Sequence, residues 1–306
     1  MRLVLDARTA SFAALIDYAG LLAPASLAMD EAVSEYRAAR ASRDGWVAGR
    51  FLCQASRLEE LAGVLTRSLA DGEEPWEIGA IFDTEPGSAA AIAQSFHAEM
   101  QPAAIIAQGD VRIGNPTGDA IGALVDSMVS VQPEIVPFLE VDQDLSVAEQ
   151  VTTTAEVLRK RGRVGGVELR CGGGTANTFP ASSDVAAFVI EATDNGMPFK
   201  MTAGLDEPMR HFDRELNAWR HGFVNILVAA AAAANGRSPK TVNCIIEETD
   251  PSAFSIRAAF VSWRNLSIPG PIMRRIRTQG FVAYSSCGFF EPVEALMNLS
   301  FLGEGT

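Results

Sequence analysis

Lysine is scarce in this chain. Only Lys160, Lys200 and Lys240 occur among 25 basic residues, so a lysine in an apolar setting is worth following. Histidine is equally scarce, with three. Cys53, Cys171, Cys244 and Cys287 lie far apart with no C-x-x-C pair. Such spacing offers neither a zinc knuckle nor a disulfide framework, and the thiols read as reduced, as in a cytoplasmic protein. The longest apolar run, residues 226–234, is too short to cross a bilayer. No basic stretch followed by an apolar one opens the chain, so no secretion signal is expected and no membrane partner. Basic charge is also in deficit, 25 against 38 acidic residues, a net −13. Nucleic acid is therefore not expected as a partner, because neutralising phosphates needs a basic surface. Nucleotide-binding glycine motifs, the Gly-x-Ser-x-Gly elbow and HExxH are all missing.

What is present is a globular composition: 306 residues, 48% hydrophobic and 21% charged. Apolar, β-prone runs recur about every thirty residues, each followed by a stretch of helical periodicity. The runs fall at 46–54, 76–83, 103–108, 134–141, 164–171, 198–203, 241–247 and 281–285. Eight strand–helix units over about 255 residues imply parallel strands with crossover helices. Their number and length match a (β/α)8 TIM-like barrel. An open doubly wound sheet is the rival, and it lacks its dinucleotide fingerprint here. Residues 1–45 read as an N-terminal helical extension, periodic at 10–19 and 26–40, and residues 46–306 as the barrel domain. The extension's apolar faces would suit a homo-oligomer.

Barrel strands alternate between lumen and helix layer. In 164–171 Glu168 and Arg170 oppose Val167, Leu169 and Cys171. In 198–203 Lys200 and Thr202 oppose Phe199, Met201 and Ala203. The same alternation places Arg50, Glu140 and Glu247 on polar faces. If those faces point inward, the lumen holds charges of both signs, which are costly unless paired or used. Ion pairs that merely plug the barrel are the alternative.

Lys200 is the sharpest candidate. A desolvated lysine beside another cation has a lowered pKa and can form a Schiff base. On the sixth strand it would also match class I aldolases in fold position. It would serve equally as an anchor for an anion, or as the partner of Glu168. Arg170 opens 170–180 (RCGGGTANTFP), where Gly172 and Gly173 would let backbone N–H groups approach a ligand that Arg170 grips. In 284–293 (YSSCGFFEPV), Ser285, Ser286 and Gly288 precede a short helix, as in phosphate-holding loops of barrels, or form an ordinary turn. His221 is a candidate for proton transfer or a core histidine. Asp206, Glu207 and His211 match no strong metal motif, so no metal and no cofactor is assigned.

Four segments, ELRCGG (168–173), PFKMTAGL (198–205), HGFVN (221–225) and SCGFFEP (286–292), resemble the recurring motifs of a family of uncharacterised bacterial and plant proteins. The resemblance spans roughly residues 46–300 and implies a shared site more than a reaction. The chain departs from that pattern in two places. Glu168 stands where the family tends to have lysine, and Asp206–Glu207 where it tends to have two histidines. A specialised or non-catalytic paralogue would show such changes.

The expectation is an enzyme acting on a small anionic carbonyl compound at the C-terminal mouth of the barrel, a lyase or an enolising isomerase. Lys200, Glu168, Glu140 and His221 would carry the chemistry. Arg170, Arg50, Gly172, Gly173, Thr202, Ser285, Ser286 and Gly288 would bind substrate. A non-catalytic binding protein and a metal-dependent hydrolase are the alternatives.

Overall fold

The computed structural model describes residues 6–70 and 72–302. Eight parallel strands close a barrel: β1 (Ile16–Tyr18), β2 (Ala48–Gln54), β3 (Trp76–Ile81), β4 (Ala104–Arg112), β5 (Val136–Glu140), β6 (Gly166–Arg170), β7 (Phe199–Thr202) and β8 (Phe281–Ser286). Neighbours pair in chain order, and β8 closes on β1 with Tyr18 opposite Ser286. The chain is thus a (β/α)8 barrel with an N-terminal helix, Ala7–Phe12.

Two expected elements are corrected. The first barrel strand, β1, lies inside the segment read as a helical extension, so the barrel begins at Ile16 rather than at residue 46. Three residues are too few to show a period-2 pattern. Helix Met29–Ala41 follows β1 and is the barrel's first outer helix. It is held by an aromatic cluster: the Tyr36 ring centroid lies 5.7 Å from Tyr18, 5.3 Å from Phe51 and 4.8 Å from Trp76. Each fully buried ring contributes about 1.5–3 kcal/mol by leaving water, and the Tyr36 hydroxyl donates to Gly49 O at 2.6 Å.

The second correction is at 241–247, which is helical within Pro239–Glu247. Ser238 caps it by accepting from Thr241 N–H, and Pro239 fits the first turn. Its buried residues Val242, Ile245 and Ile246 follow helical spacing. Glu247 therefore stands on a helix and not in the lumen. The strand count stays at eight because β1 replaces this segment, and Lys200 moves from the sixth strand to the seventh.

The β7–β8 connection is long. It carries a hairpin (His211–Asp213 with Ala218–Arg220), the almost wholly buried helix Phe223–Ala234, helix Pro239–Glu247, a three-stranded antiparallel sheet and helix Gly270–Gln279. Arg277 on that last helix is buried beneath the barrel. It donates to Ser11 O at 2.9 Å, Ala13 O at 2.9 Å, Phe281 O at 2.6 Å and to Val282 O. These bonds tie the N-terminal segment to the start of β8. Burial without a carboxylate partner lowers the Arg277 pKa to about 10. Among the described residues no helix is long and apolar enough to cross a membrane.

Candidate functional site

The polar faces do point inward, and they build two tiers. In the lower tier the fully buried Lys200 Nζ lies 3.0 Å from Asp110 Oδ2, 3.2 Å from Asp17 Oδ2 and 3.6 Å from Glu168 Oε1. The register β6–β7 sets Glu168 directly opposite Lys200. Asp17 is held from its other oxygen, which accepts the backbone N–H of Arg50 at 2.9 Å. Gln108 Nε2 donates to both oxygens of Asp110, at 2.7 and 3.0 Å. The Phe138 ring centroid lies 5.3 Å from Lys200 Nζ and closes one side.

This arrangement fixes the protons. Burial alone would lower the Lys200 pKa, but Asp110, Glu168 and Asp17 outweigh it and hold the ammonium above the ordinary lysine range. Glu168 moves the other way. Burial raises its pKa well above the usual carboxylate range, and the neighbouring Asp110 adds to this by repulsion and by accepting its proton; Lys200 opposes the shift without overcoming it. The site therefore sets a lysine held toward its charged form beside Glu168, a carboxyl pushed toward its neutral form, with Asp110 and Asp17 against the same ammonium. Lys200 has carboxylates around it rather than a neighbouring cation, so the pKa depression on which a Schiff base relies is not met.

The upper tier, toward the strands' C-terminal ends, is partly open. Arg170 Nε lies 3.5 Å from Glu140 Oε1, and Thr202 Oγ1 donates to Glu140 Oε2 at 3.3 Å. Arg112 reaches Asp142 at 3.4 Å. The side chains of Arg170 and Arg112 keep 52% and 65% of their surface exposed, so their pairing is loose. Ser285 Oγ accepts the Ala203 N–H at 3.2 Å. Ala203 has φ 57°, a left-handed conformation uncommon for a residue with a side chain, at the end of β7.

The expected site residues divide. Lys200 and Glu168 meet in the lower tier, and Glu140, Arg170 and Thr202 meet in the upper one. Arg50 does not join them. It pairs with Glu77 at 3.5 Å near the N-terminal end of β3, because it sits low on β2. His221 lies at the foot of helix Phe223–Ala234, where Nε2–H donates to Pro180 O at 2.8 Å. Its hydrogen bond ties it to the loop after β6, and burial lowers its pKa, which keeps the ring neutral. Gly172 and Gly173 serve packing. A side-chain carbon on Gly172 would come within 2.7 Å of Gly204 Cα, and one on Gly173 within 2.8 Å of Thr178 Oγ1. In the loop after β8, Ser286 Oγ accepts Gly288 N–H at 3.4 Å. The Glu291 carboxylate lies against Gly288, where an anion was expected. Asp206 pairs with Arg220, and the His211 ring bonds to Met209 O at 3.1 Å. Among the described residues no three His, Cys, Asp or Glu side chains are grouped to hold a metal ion.

Asp17, Gln108 and Asp110 were missed. Asp17 lies in the short strand taken as helix. Asp110 lies beyond residue 108, where the third run was expected to end, although the alternation Gln108, Asp110, Arg112 continues the polar face.

Fold and site together define a (β/α)8 barrel with a charged lumen. Against known proteins, no family model matches the chain and no curated protein is similar to it.

Proposed function

We propose that the protein is an enzyme that moves protons on a small anionic carbonyl compound at the C-terminal mouth of the barrel, as an enolising isomerase or carbon–carbon lyase. One observation carries this: the carboxyl groups of Glu168 and Asp110 stand 3.6 and 3.0 Å from Lys200 Nζ at the base of the mouth, and burial favours the protonated form of Glu168. Such a pair can donate and accept a proton in one site, and a fixed cation stabilises the oxyanion of an enolate. Arg170 and Arg112 would meet the substrate's anionic group, each exchanging its loose carboxylate partner for a bidentate one. Lys200 acts here as an electrostatic group and not as a nucleophile.

Incubation with small keto acids and phosphorylated ketones in deuterated water, followed by proton NMR, tests the reading. Wild-type protein should wash in deuterium next to a carbonyl, and Glu168→Gln should slow this by about a hundredfold or more. Equal rates in both proteins would refute the reading. Borohydride treatment with a reacting substrate should leave Lys200 unlabelled.

A second reading has its own support. Lys200 and Asp17 have no exposed side-chain surface and lie 3.2 Å apart, as the residues of a non-catalytic plug would. Under it, ligands would stabilise the protein without ever being turned over.

A further inference from the structure

Outside its ion pairs, the lumen has too many acceptors. Gln108 commits its Nε2 to Asp110, while its Oε1 is buried with no donor among the described residues. Gln54 ends β2 on the same inward face, and its Oε1 is likewise buried without a donor. Glu168 Oε1 makes no hydrogen bond, since Lys200 Nζ lies 3.6 Å away. Of the donors nearby, Lys200 Nζ hydrogen-bonds Asp110 and lies 3.2 Å from Asp17, and Thr202 donates to Glu140; none of them reaches Gln54 or Gln108. Strands β2, β4 and β6 thus turn three buried acceptors into one lumen. A buried acceptor left without a donor is costly, and native structures seldom leave one so.

We infer that the ligand supplies these donors: the substrate is a polyhydroxylated acid. Its hydroxyls donate to Gln54, Gln108 and Glu168, and its anionic end meets Arg112 and Arg170. The inference rests on the reading above that an anion binds at the mouth. Hydroxyls fit these acceptors because each can donate one hydrogen bond to an amide or carboxyl oxygen. A hydroxyl brings a donor without charge.

Calorimetric titration of the full chain with gluconate, hexanoate, sorbitol and 6-aminohexanoate tests it. Gluconate should bind about tenfold or more tighter than hexanoate, and Gln54→Met and Gln108→Met should each narrow that ratio about three- to tenfold. Gln54→Met leaves the support of Asp110 intact, so the test survives if Gln108→Met folds poorly. If hexanoate matches gluconate and Arg170→Met weakens both, water serves the acceptors: the hydroxyl inference falls and the anion reading stands. If sorbitol matches gluconate and Arg170→Met changes neither, the hydroxyl inference stands and the anion reading falls. Tighter binding of 6-aminohexanoate than of gluconate, or no binding of any of the four, overturns the inference.

Discussion

Replacing Lys200 with methionine keeps most of the side-chain volume and removes the ammonium in contact with three buried carboxyl groups. Asp110, Asp17 and Glu168 lie 3.0, 3.2 and 3.6 Å from it. Without the ammonium, these buried carboxyl groups would face one another with no charge to balance them. Breaking a buried ion pair from one side costs about 3–5 kcal/mol, and that loss is expected in urea unfolding at pH 7. The pH dependence makes the prediction specific. In wild type the Lys200 pKa is raised, so its stabilisation is complete below the free lysine value of about 10.4 and is lost only as pH rises through the folded value. It is therefore flat between pH 4 and 8. In the variant, protonating an aspartate relieves the repulsion, so the destabilisation should shrink as pH falls toward about 4. A loss under about 1 kcal/mol at pH 7, or the same loss at pH 4 and pH 7, would refute the buried pairing.

Other expectations follow from single contacts. Because its folded pKa is raised, Glu168 gives stability that is full below about pH 4.3 and lost as pH rises toward the folded value. Glu168→Gln should therefore gain on wild type by up to about 1.4 kcal/mol per pH unit over that window, as read by urea unfolding. A loss at pH 7 would contradict a neutral Glu168. Arg277→Met should cost about 1–3 kcal/mol, because it strips donors from the buried carbonyls that join residues 11–13 to β8. Hydrogen exchange should then speed up first in the N-terminal helix. Gly172→Ala forces a methyl to 2.7 Å from the Gly204 backbone and should lower stability by about 1–3 kcal/mol. An unchanged Tm would show that the two loops move apart freely.

The barrel was legible because its helices and most of its strands are regular. Leu58–Ser68 and Val147–Lys160 bury one stripe each, and β6 and β7 alternate cleanly enough that Glu168, Arg170, Lys200 and Thr202 were placed inward from their spacing alone. Failures came where local pattern underdetermines structure. β1 is too short to show a period, so Asp17 was invisible as the fourth member of the lower tier. Residues 241–247 are apolar enough for a strand, yet Ser238, Pro239 and the spacing Val242, Ile245, Ile246 mark a helix. The state of Lys200 was not legible either. The sequence shows a lysine among apolar neighbours, whereas its pKa is set by Asp110 and Asp17, both distant in sequence. Arg50 shows a further limit: alternation gives the face of a strand but not the height along the barrel.

Proton transfer at the base of the mouth requires a proton held by Glu168 beside a charged lysine. Carbon-13 NMR of protein labelled at glutamate carboxyls, titrated from pH 4 to 8 with Glu168→Gln to assign the resonance, reads that proton directly. One carboxyl signal should keep the shift of a neutral acid well above the usual glutamate range and vanish in Glu168→Gln. A Glu168 signal that titrates near pH 4.3 like a free glutamate would contradict it.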